Sequence, residues 1–241
     1  MEFSCKIPFE LTIAPYRLRT IQNSDELNAV LELRKLCFNA DIDKMQFDLA
    51  ADHLIVEDIE KKILCGTYRL THSDFSTHFE CEEDFEIPAF LEKNEAKLEL
   101  AWACIHPEYR NGTIVSLLWR GITEVIKIRS AKYIFGTTSI KGEPEDIARI
   151  QDALQGKELP FPVLPRRSHV RKILPLDADT GLSTSSASWR RLLPGLLRAY
   201  LMAGALVCAQ PSYDIDLNCY DFMTVIDVDQ ATDSLIHHYN L

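Results

Sequence analysis

Missing from this sequence are any Cys-x-x-Cys pair, any histidines at metal-binding spacing, any internal repeat or heptad, and any excess of positive charge. Each absence excludes something. The seven cysteines (Cys5, Cys37, Cys65, Cys81, Cys104, Cys208 and Cys219) are odd in number and scattered. They read as buried free thiols in a reducing cytoplasm, not as a disulfide framework. His237 and His238 are adjacent and would point apart on a helix, so no metal site is expected. The formal net charge is −10, with 26 basic against 36 acidic side chains. That argues against a nucleic-acid coat, although it says little about local patches. The start, "MEFSCKIPFELTIAPYRLR", carries Glu2 and Glu10 and has no apolar run of signal-peptide length. The most apolar stretch, "LLPGLLRAYLMAGALVCA" from Leu192, contains Pro194, Gly195 and Arg198 and follows Arg190 and Arg191. A spanning helix needs about 20 residues with few or no charges. A core helix leading into a strand fits better, with peripheral membrane contact left open.

What is present is enough for a globular core: 46% hydrophobic residues and 9% aromatics in 241 residues. Asn23 to Phe38 reads as a helix, with Asn23 and Glu26 as a capping box and Leu27, Val30, Leu31, Leu33 and Leu36 as its apolar stripe. "HLIVED" (53–58) and "ILCGTYRLT" (63–71) read as a hairpin. Residues 72–96 are polar and mixed, with short helical pieces at best. "KLELAWACI" (97–105) is apolar enough for a central strand. Thr113 to Ile128 is a helix, with Ile114, Leu118, Gly121, Ile122 and Val125 on one face. "KYIFGTT" (132–138) is a further buried strand, so 97–138 forms a strand–helix–strand unit. A helix over 143–154 follows. Prolines 160, 162, 165 and 175 and "STSSAS" (183–188) mark an irregular connection. The spacing then predicts a helix (189–203), strands over 204–209 and 220–228, and a short final helix from Asp229 to His238.

The chemistry concentrates in "ELAWACIHPEYRNGTIVSLLWRG" (99–121). On a regular strand Leu98, Leu100, Trp102 and Cys104 share one face, and Glu99, Ala101 and Ala103 the other. A carboxylate beside two small residues leaves room for a molecule to lie against the strand. A simply solvated face explains the pattern equally well. The turn Arg110-Asn111-Gly112 then opens a helix at Thr113, whose free N–H groups and dipole suit a phosphate. The plain alternative is an ordinary helix start with a glycine in its turn.

Together these segments resemble the GNAT superfamily. "LRKLCF" (33–38), "DLAADHLIVED" (48–58), "GTYRL" (66–70), the 99–122 segment, "YIFGTTSIKG" (133–142) and 192–228 occur in an order similar to that of the ornithine–acyl-carrier-protein N-acyltransferases. Long-chain N-acyl amino acid synthases of bacteria and, more distantly, acyl-homoserine-lactone synthases share the resemblance. It implies an α/β (α+β mixed) fold with a central, mostly antiparallel mixed sheet flanked by helices. The chain is then a single domain over 1–241, with an irregular insertion near 156–188 and a C-terminal helix–strand extension over 189–241.

The resemblance also implies the reaction. An acyl group on a 4'-phosphopantetheine thioester, carried by acyl-carrier protein or coenzyme A as co-substrate, passes to the α-amine of an amino acid such as ornithine. No tightly bound cofactor and no covalent enzyme intermediate are expected. Glu99 would be the general base, and strand N–H groups near Ala101 to Cys104 would hold the oxyanion. Arg34, Asp48, Arg69, Trp102 and Ser139 would bind the acceptor, the first three as a polar network beside a mobile N-terminal segment. Arg34 reads equally well as a structural ion pair, and His53 as a hydrogen-bonded edge residue. Cys104, Arg110, Asn111, Gly112 and Thr113 would hold the pantetheine arm. Arg166, Arg167, Arg171 and Lys172 form a basic run suited to docking acidic acyl-carrier protein, or else a solvated loop.

One position departs from the relatives, which carry Arg three residues after the strand acid, where Trp102 stands here. Losing a guanidinium removes a bidentate anchor. If the strand carries a bulge, Trp102 returns to the face of Glu99 and lines the site. Two alternatives stay open. One is a synthase of free N-acyl amino acids or signal-type N-acyl compounds. The other is a non-catalytic acyl-binding or regulatory protein, which Trp102 motivates.

Overall fold

A computed structural model describes residues 2–39, 46–166 and 193–231. In chain order the elements are β1 (Glu10–Ile13), β2 (Tyr16–Thr20), α1 (Ser24–Phe38), α2 (Gln46–Ala50), β3 (Asp52–Asp58), β4 (Ile63–His72), β5 (Phe85–Glu86), α3 (Pro88–Leu91) and β6 (Lys97–Ile105). They continue with α4 (Thr113–Arg129), β7 (Tyr133–Ile140), α5 (Pro144–Ala153), β8 (Leu164–Pro165), α6 (Gly195–Met202), β9 (Leu206–Val207), β10 (Ser212–Asp214) and β11 (Cys219–Asp227). Sheets of mostly antiparallel strands flanked by helices give the expected α/β class. The residues cluster into two compact units, one drawn from 2–79 and 96–134, the other from 80–95 and 135–231.

In the first unit, strands run in the order β1-β2-β3-β4-β6, antiparallel throughout. The β1–β2 hairpin turns at a cis Ala14-Pro15 bond. It is absent from the sequence reading, because "ELTIAPYRLRT" is short and carries few apolar residues. α1 packs on one face, burying Leu27 and Val30 against Phe3, Ile21 and Ile55. α4 packs on the other, where Gly121 meets Leu54 and Leu18. Ile55 and Leu54 are successive residues of β3, so alternation of side chains places the two helices on opposite faces. Each fully buried Leu, Ile or Val here contributes on the order of 1.5–3 kcal/mol.

α1 starts at its expected cap. Asn23 Oδ1 accepts from the Glu26 amide at 3.0 Å. The reciprocal half of the box differs: the Glu26 carboxylate accepts from the Gln22 amide at 2.6 Å and pairs with Arg19 at 2.8 Å. Arg19 also reaches Glu57 at 2.9 Å, so the cap residue is drawn into a network that ties α1 to β2 and β3. Asp58 closes the β3–β4 turn by accepting from the Glu60 and Lys61 amides. Its other oxygen accepts from the Tyr109 hydroxyl at 3.0 Å, which anchors the "HPEY" turn ahead of α4.

In the second unit, β11 lies between β7 and β10 and also pairs with β9. Phe90 of α3 packs on Phe135 and stacks on Phe161, with centroids 5.0 and 5.3 Å apart. Residues 72–96, read as mixed, hold a 3₁₀ turn at Glu80–Glu83 besides β5 and α3. The helix expected over 189–203 is described from Gly195 to Met202, and the strand expected over 204–209 contracts to Leu206–Val207. At the end of the described chain, Val228–Gln230 is a 3₁₀ turn, and the rest of the expected final helix lies outside the described residues, as does "STSSAS". Among the described residues no helix is long and apolar enough to cross a membrane.

Gly66 on β4 brings α4 close to the sheet, since a Cβ there would sit 2.6 Å from Ile114 Cγ2 and 3.2 Å from the Cys104 carbonyl. One contact is a stiff β-branched side chain and the other is backbone. Gly66→Ala should therefore cost about 1–3 kcal/mol in urea unfolding. A loss under about 0.5 kcal/mol would show that Ile114 moves aside freely.

Candidate active site

β6 carries one residue too many for its partner. Arg69 pairs with Ala101 and Thr67 with Cys104, so Trp102 and Ala103 together face Tyr68. This is a β-bulge, which leaves the extra residue outside the ladder. Trp102 takes φ +55° to accommodate it, an uncommon conformation for a bulky residue. Alternation is thereby reset. Before the bulge, Glu99 pairs with Thr71 and Ala101 with Arg69. After it, Cys104 pairs with Thr67, on the same face. Cys104 therefore joins Glu99, which corrects the regular-strand assignment of Cys104 to the face of Leu98 and Leu100.

The same face holds a fully buried ionic cluster. His53 is the cross-strand partner of Arg69. Arg34 of α1 donates through Nη1 to Asp48 Oδ1 at 2.7 Å, and Arg69 Nη1 lies 3.5 Å from that oxygen. Arg34 Nη2 donates to His53 Nδ1 at 3.3 Å, and His53 Nε2 sits 3.0 Å from the Asp48 carbonyl oxygen. These contacts require a neutral imidazole with its proton on Nε2. Burial pushes the His53 pKa down to about 3, and the Arg34 charge acts in the same direction. For Asp48, burial opposes ionisation, but the Arg34 and Arg69 guanidiniums outweigh it and hold the carboxyl below its usual range. His53 is thus an interior residue of the cluster, since β3 lies between β2 and β4; the edge-residue reading is corrected.

Trp102 closes this group. Its ring lies 5.1 Å from the Arg34 guanidinium carbon and meets Phe38 edge-on at 5.4 Å. The N-terminal segment is tied down beside it. The Lys6 amide donates to Asp52 Oδ1 at 2.9 Å, Thr20 Oγ1 donates to the Ile7 carbonyl at 2.9 Å, and Phe3 packs on His53 at 5.9 Å.

Glu99 is 1% exposed. Near it, the Thr67 and Thr71 hydroxyls are buried without a hydrogen-bond partner among the described residues. By register they flank Arg69 on the face of Glu99. Buried polar groups are rarely left unsatisfied, so these hydroxyls mark a place where a polar molecule would be received. The sequence reading missed both, since Thr in a strand is ordinary.

At the far end of β6, Arg110, Asn111, Gly112 and Thr113 are exposed at the start of α4. Asn111 Oδ1 accepts from the Thr113 amide at 3.0 Å, Arg110 Nε donates to the Ile105 carbonyl at 3.1 Å, and Gly112 takes φ +90° with open space around it. Ser139 lies in the second unit, exposed on β7, with its hydroxyl against Cys219. Arg166 donates to the Glu82 carbonyl; Arg167, Arg171 and Lys172 lie outside the described residues. In the second unit one oxygen each of Asp214 and Asp221 and the Cys219 sulfur lie within 4.8 Å of one another. Neither a histidine spacing nor a Cys-x-x-Cys pair announces them in the sequence.

Residues 18–120 match the family model of the Acetyltransferase (GNAT) domain. That stretch, a little under half of the chain, is similar to GNAT acetyltransferase domains. The matched stretch runs from within β2 into α4 and includes the bulge, the cluster and the turn. The chain is 24% identical over 239 residues to an L-ornithine N(alpha)-acyltransferase of Rhodobacter capsulatus, covering 88% of this chain and 90% of that protein. It is 27% identical over 241 residues to an enzyme of the same name from Agrobacterium fabrum, covering 93% and 78%. An N-acyl amino acid synthase from uncultured soil microbes shares the fold, with a TM-score of 0.53, 10% identity and 93% of both chains covered.

The cluster makes stability depend on pH. His53 has its folded pKa depressed from 6.5 to about 3. Its contribution is complete above pH 6.5 and is lost as the unfolded chain takes up a proton, at about 1.4 kcal/mol per pH unit. Asp84 works oppositely, because burial first, then Asp221 and Asp214, push its carboxyl up to about 7. The test is therefore a difference. The stability gap between the wild type and His53→Gln should shrink by about 2 kcal/mol from pH 7.5 to 5 in urea unfolding. A gap independent of pH would mean that His53 is not held neutral.

Proposed function

We propose that this N-acyltransferase moves a long-chain acyl group, 3-hydroxylated or not, from acyl-carrier protein to the α-amine of an amino acid, with ornithine the leading acceptor. The observation that carries the reading is Glu99, buried on a bulged strand whose far end leads into an open helix start. The names of the relatives that span most of the chain support ornithine and the α-amine.

The acceptor amine arrives as an ammonium ion, and Glu99, directly or through one water, takes its proton. The free amine attacks the thioester carbonyl. Strand N–H groups near Ala101 to Cys104 receive the oxyanion. The intermediate collapses with loss of the pantetheine thiol, leaving an amide. Arg110, Asn111, Gly112 and Thr113 hold the phosphate end of the arm at the helix start. Coenzyme A carries the same arm and phosphate, so acyl-CoA is the alternative donor. Arg34 and Asp48 pair with each other inside the protein, so they position the site from behind; the Thr67 and Thr71 hydroxyls, on the face of Glu99, are placed to touch the acceptor. Trp102 supplies apolar surface at the site in place of the relatives' guanidinium. The basic run at 166–172 is the proposed contact for acyl-carrier protein, and a long-chain product gives peripheral membrane contact a use.

Purified protein incubated with acyl-carrier-protein and coenzyme A thioesters and a panel of amino acids should form an amide, read by mass spectrometry. No amide from either donor would sink the proposal, and tight donor binding without turnover would leave an acyl-binding protein. Free N-acyl products from acceptors other than ornithine would favour the synthase reading. Glu99→Gln should lower kcat by about 10²–10⁴ with little change in donor binding; equal turnover would remove Glu99 as the base.

A further inference from the structure

The proposed reaction uses no thiol, yet the first unit brings two together. Cys37 is half-buried in the last turn of α1, and Cys104 is buried just past the bulge on β6. The bulge turns Cys104 onto the α1 face, one residue before the carbonyl that the Cys37 thiol bonds. The Cys37 thiol donates to the Ile105 carbonyl oxygen at 3.3 Å. Arg110 is itself fixed by its bond to the same carbonyl.

This setting separates the two sulfurs chemically. The hydrogen bond from Cys104, helped by Arg110, pulls the Cys37 thiol below the ordinary thiol range against the effect of burial. The same shared proton, with burial, pushes Cys104 up. Cys37 is thus both the more exposed thiol of the pair and the one that gives up its proton more readily. Cys5, Cys65, Cys208 and Cys219 are all pushed up by burial. Thiolate character and access together set reactivity.

We propose that Cys37 and Cys104 form a reactive dithiol, a modification site that a hydroperoxide converts to an intramolecular disulfide joining α1 to β6. The Cys37 thiolate attacks the terminal peroxide oxygen. The O–O bond breaks, the alcohol (water, for hydrogen peroxide) leaves with a proton, and Cys37 becomes a sulfenic acid. The Cys104 sulfur then attacks the Cys37 sulfur, the S–O bond breaks, water leaves and the S–S bond forms. The two thiols lose two electrons and two protons, and one hydroperoxide is reduced.

Native protein is treated with one equivalent of hydrogen peroxide, blocked with iodoacetamide and digested without reductant. Mass spectrometry should find one linked peptide pair joining Cys37 to Cys104. Thiol titration should show the loss of two of the seven thiols, restored by dithiothreitol. Cys104→Ser should stop at a Cys37 sulfenic acid that dimedone captures, and Cys37→Ser should consume peroxide about tenfold more slowly or worse. Links between other cysteines, or Cys37 left reduced while others oxidise, would overturn the proposal. The wild-type peptide map decides this without either variant folding and without any acyltransferase assay.

Discussion

One extra residue in β6 decides where the site groups of this strand point. With a regular ladder, Cys104 would face α4, and Trp102 would sit with Leu98 and Leu100 in the α4 core. The insertion between the Arg69–Ala101 and Thr67–Cys104 pairs changes both. A bulky side chain in the left-handed region costs about 1–2 kcal/mol, so something must hold Trp102 there. The contacts of its ring with Arg34 and Phe38 do so, and both partners lie on α1. The bulge and the first helix therefore fix each other. Any force that moved α1 would be felt at the backbone groups proposed to receive the oxyanion.

The buried ions explain why α1 stays in place. Removing Arg34, Asp48, Arg69 and His53 from water is costly, and such clusters seldom add much net stability compared with apolar packing. What they impose is geometry. Arg34 and Arg69 converge on one oxygen of Asp48, while His53 accepts from Arg34 and donates to the backbone of Asp48. Shifting any one member strands a partner in a low-dielectric interior. α1, α2, β3 and β4 are thus locked in a single register, and that lock carries over to β6 through the Arg69–Ala101 pair. Phe3, packed on His53, extends the same lock to the chain's first residues.

Much of this was legible in the sequence, for reasons that can be named. Asn23 followed by a wide apolar stripe marked α1, the two apolar runs around Ile59 to Lys62 marked the β3–β4 hairpin, and "ELAWACIHPEYRNG" placed a strand ahead of a helix start. Strong local signals survive folding. The β1–β2 hairpin was not legible, because an amphipathic run of four or five residues has no distinctive periodicity. Half of the capping box failed because Glu26 is drawn to Arg19, a tertiary partner invisible at i+3 spacing. The bulge could be raised only as a condition, since the residue that takes the positive φ is a tryptophan and not the glycine or asparagine that would have announced it. Thr67 and Thr71 became informative only once their burial was known.

Trp102, where the family resemblance implies an arginine, reads differently against this geometry. From sequence alone it removes a cation from the site. In the fold, the Arg34 guanidinium lies under the Trp102 ring, and the Arg69 guanidinium lies across the same carboxylate. Positive charge is therefore retained at this end of the sheet, but behind an apolar ring. A guanidinium at position 102 would present donors toward the substrate, whereas an indole over Arg34 presents a flat, polarised surface that can pack on a hydrocarbon chain and leaves polar recognition to neighbours. In the proposed reaction, recognition of the acceptor then shifts from position 102 to the strand face that carries Glu99, Thr67 and Thr71. Two unsatisfied hydroxyls on that face are what such a shift requires.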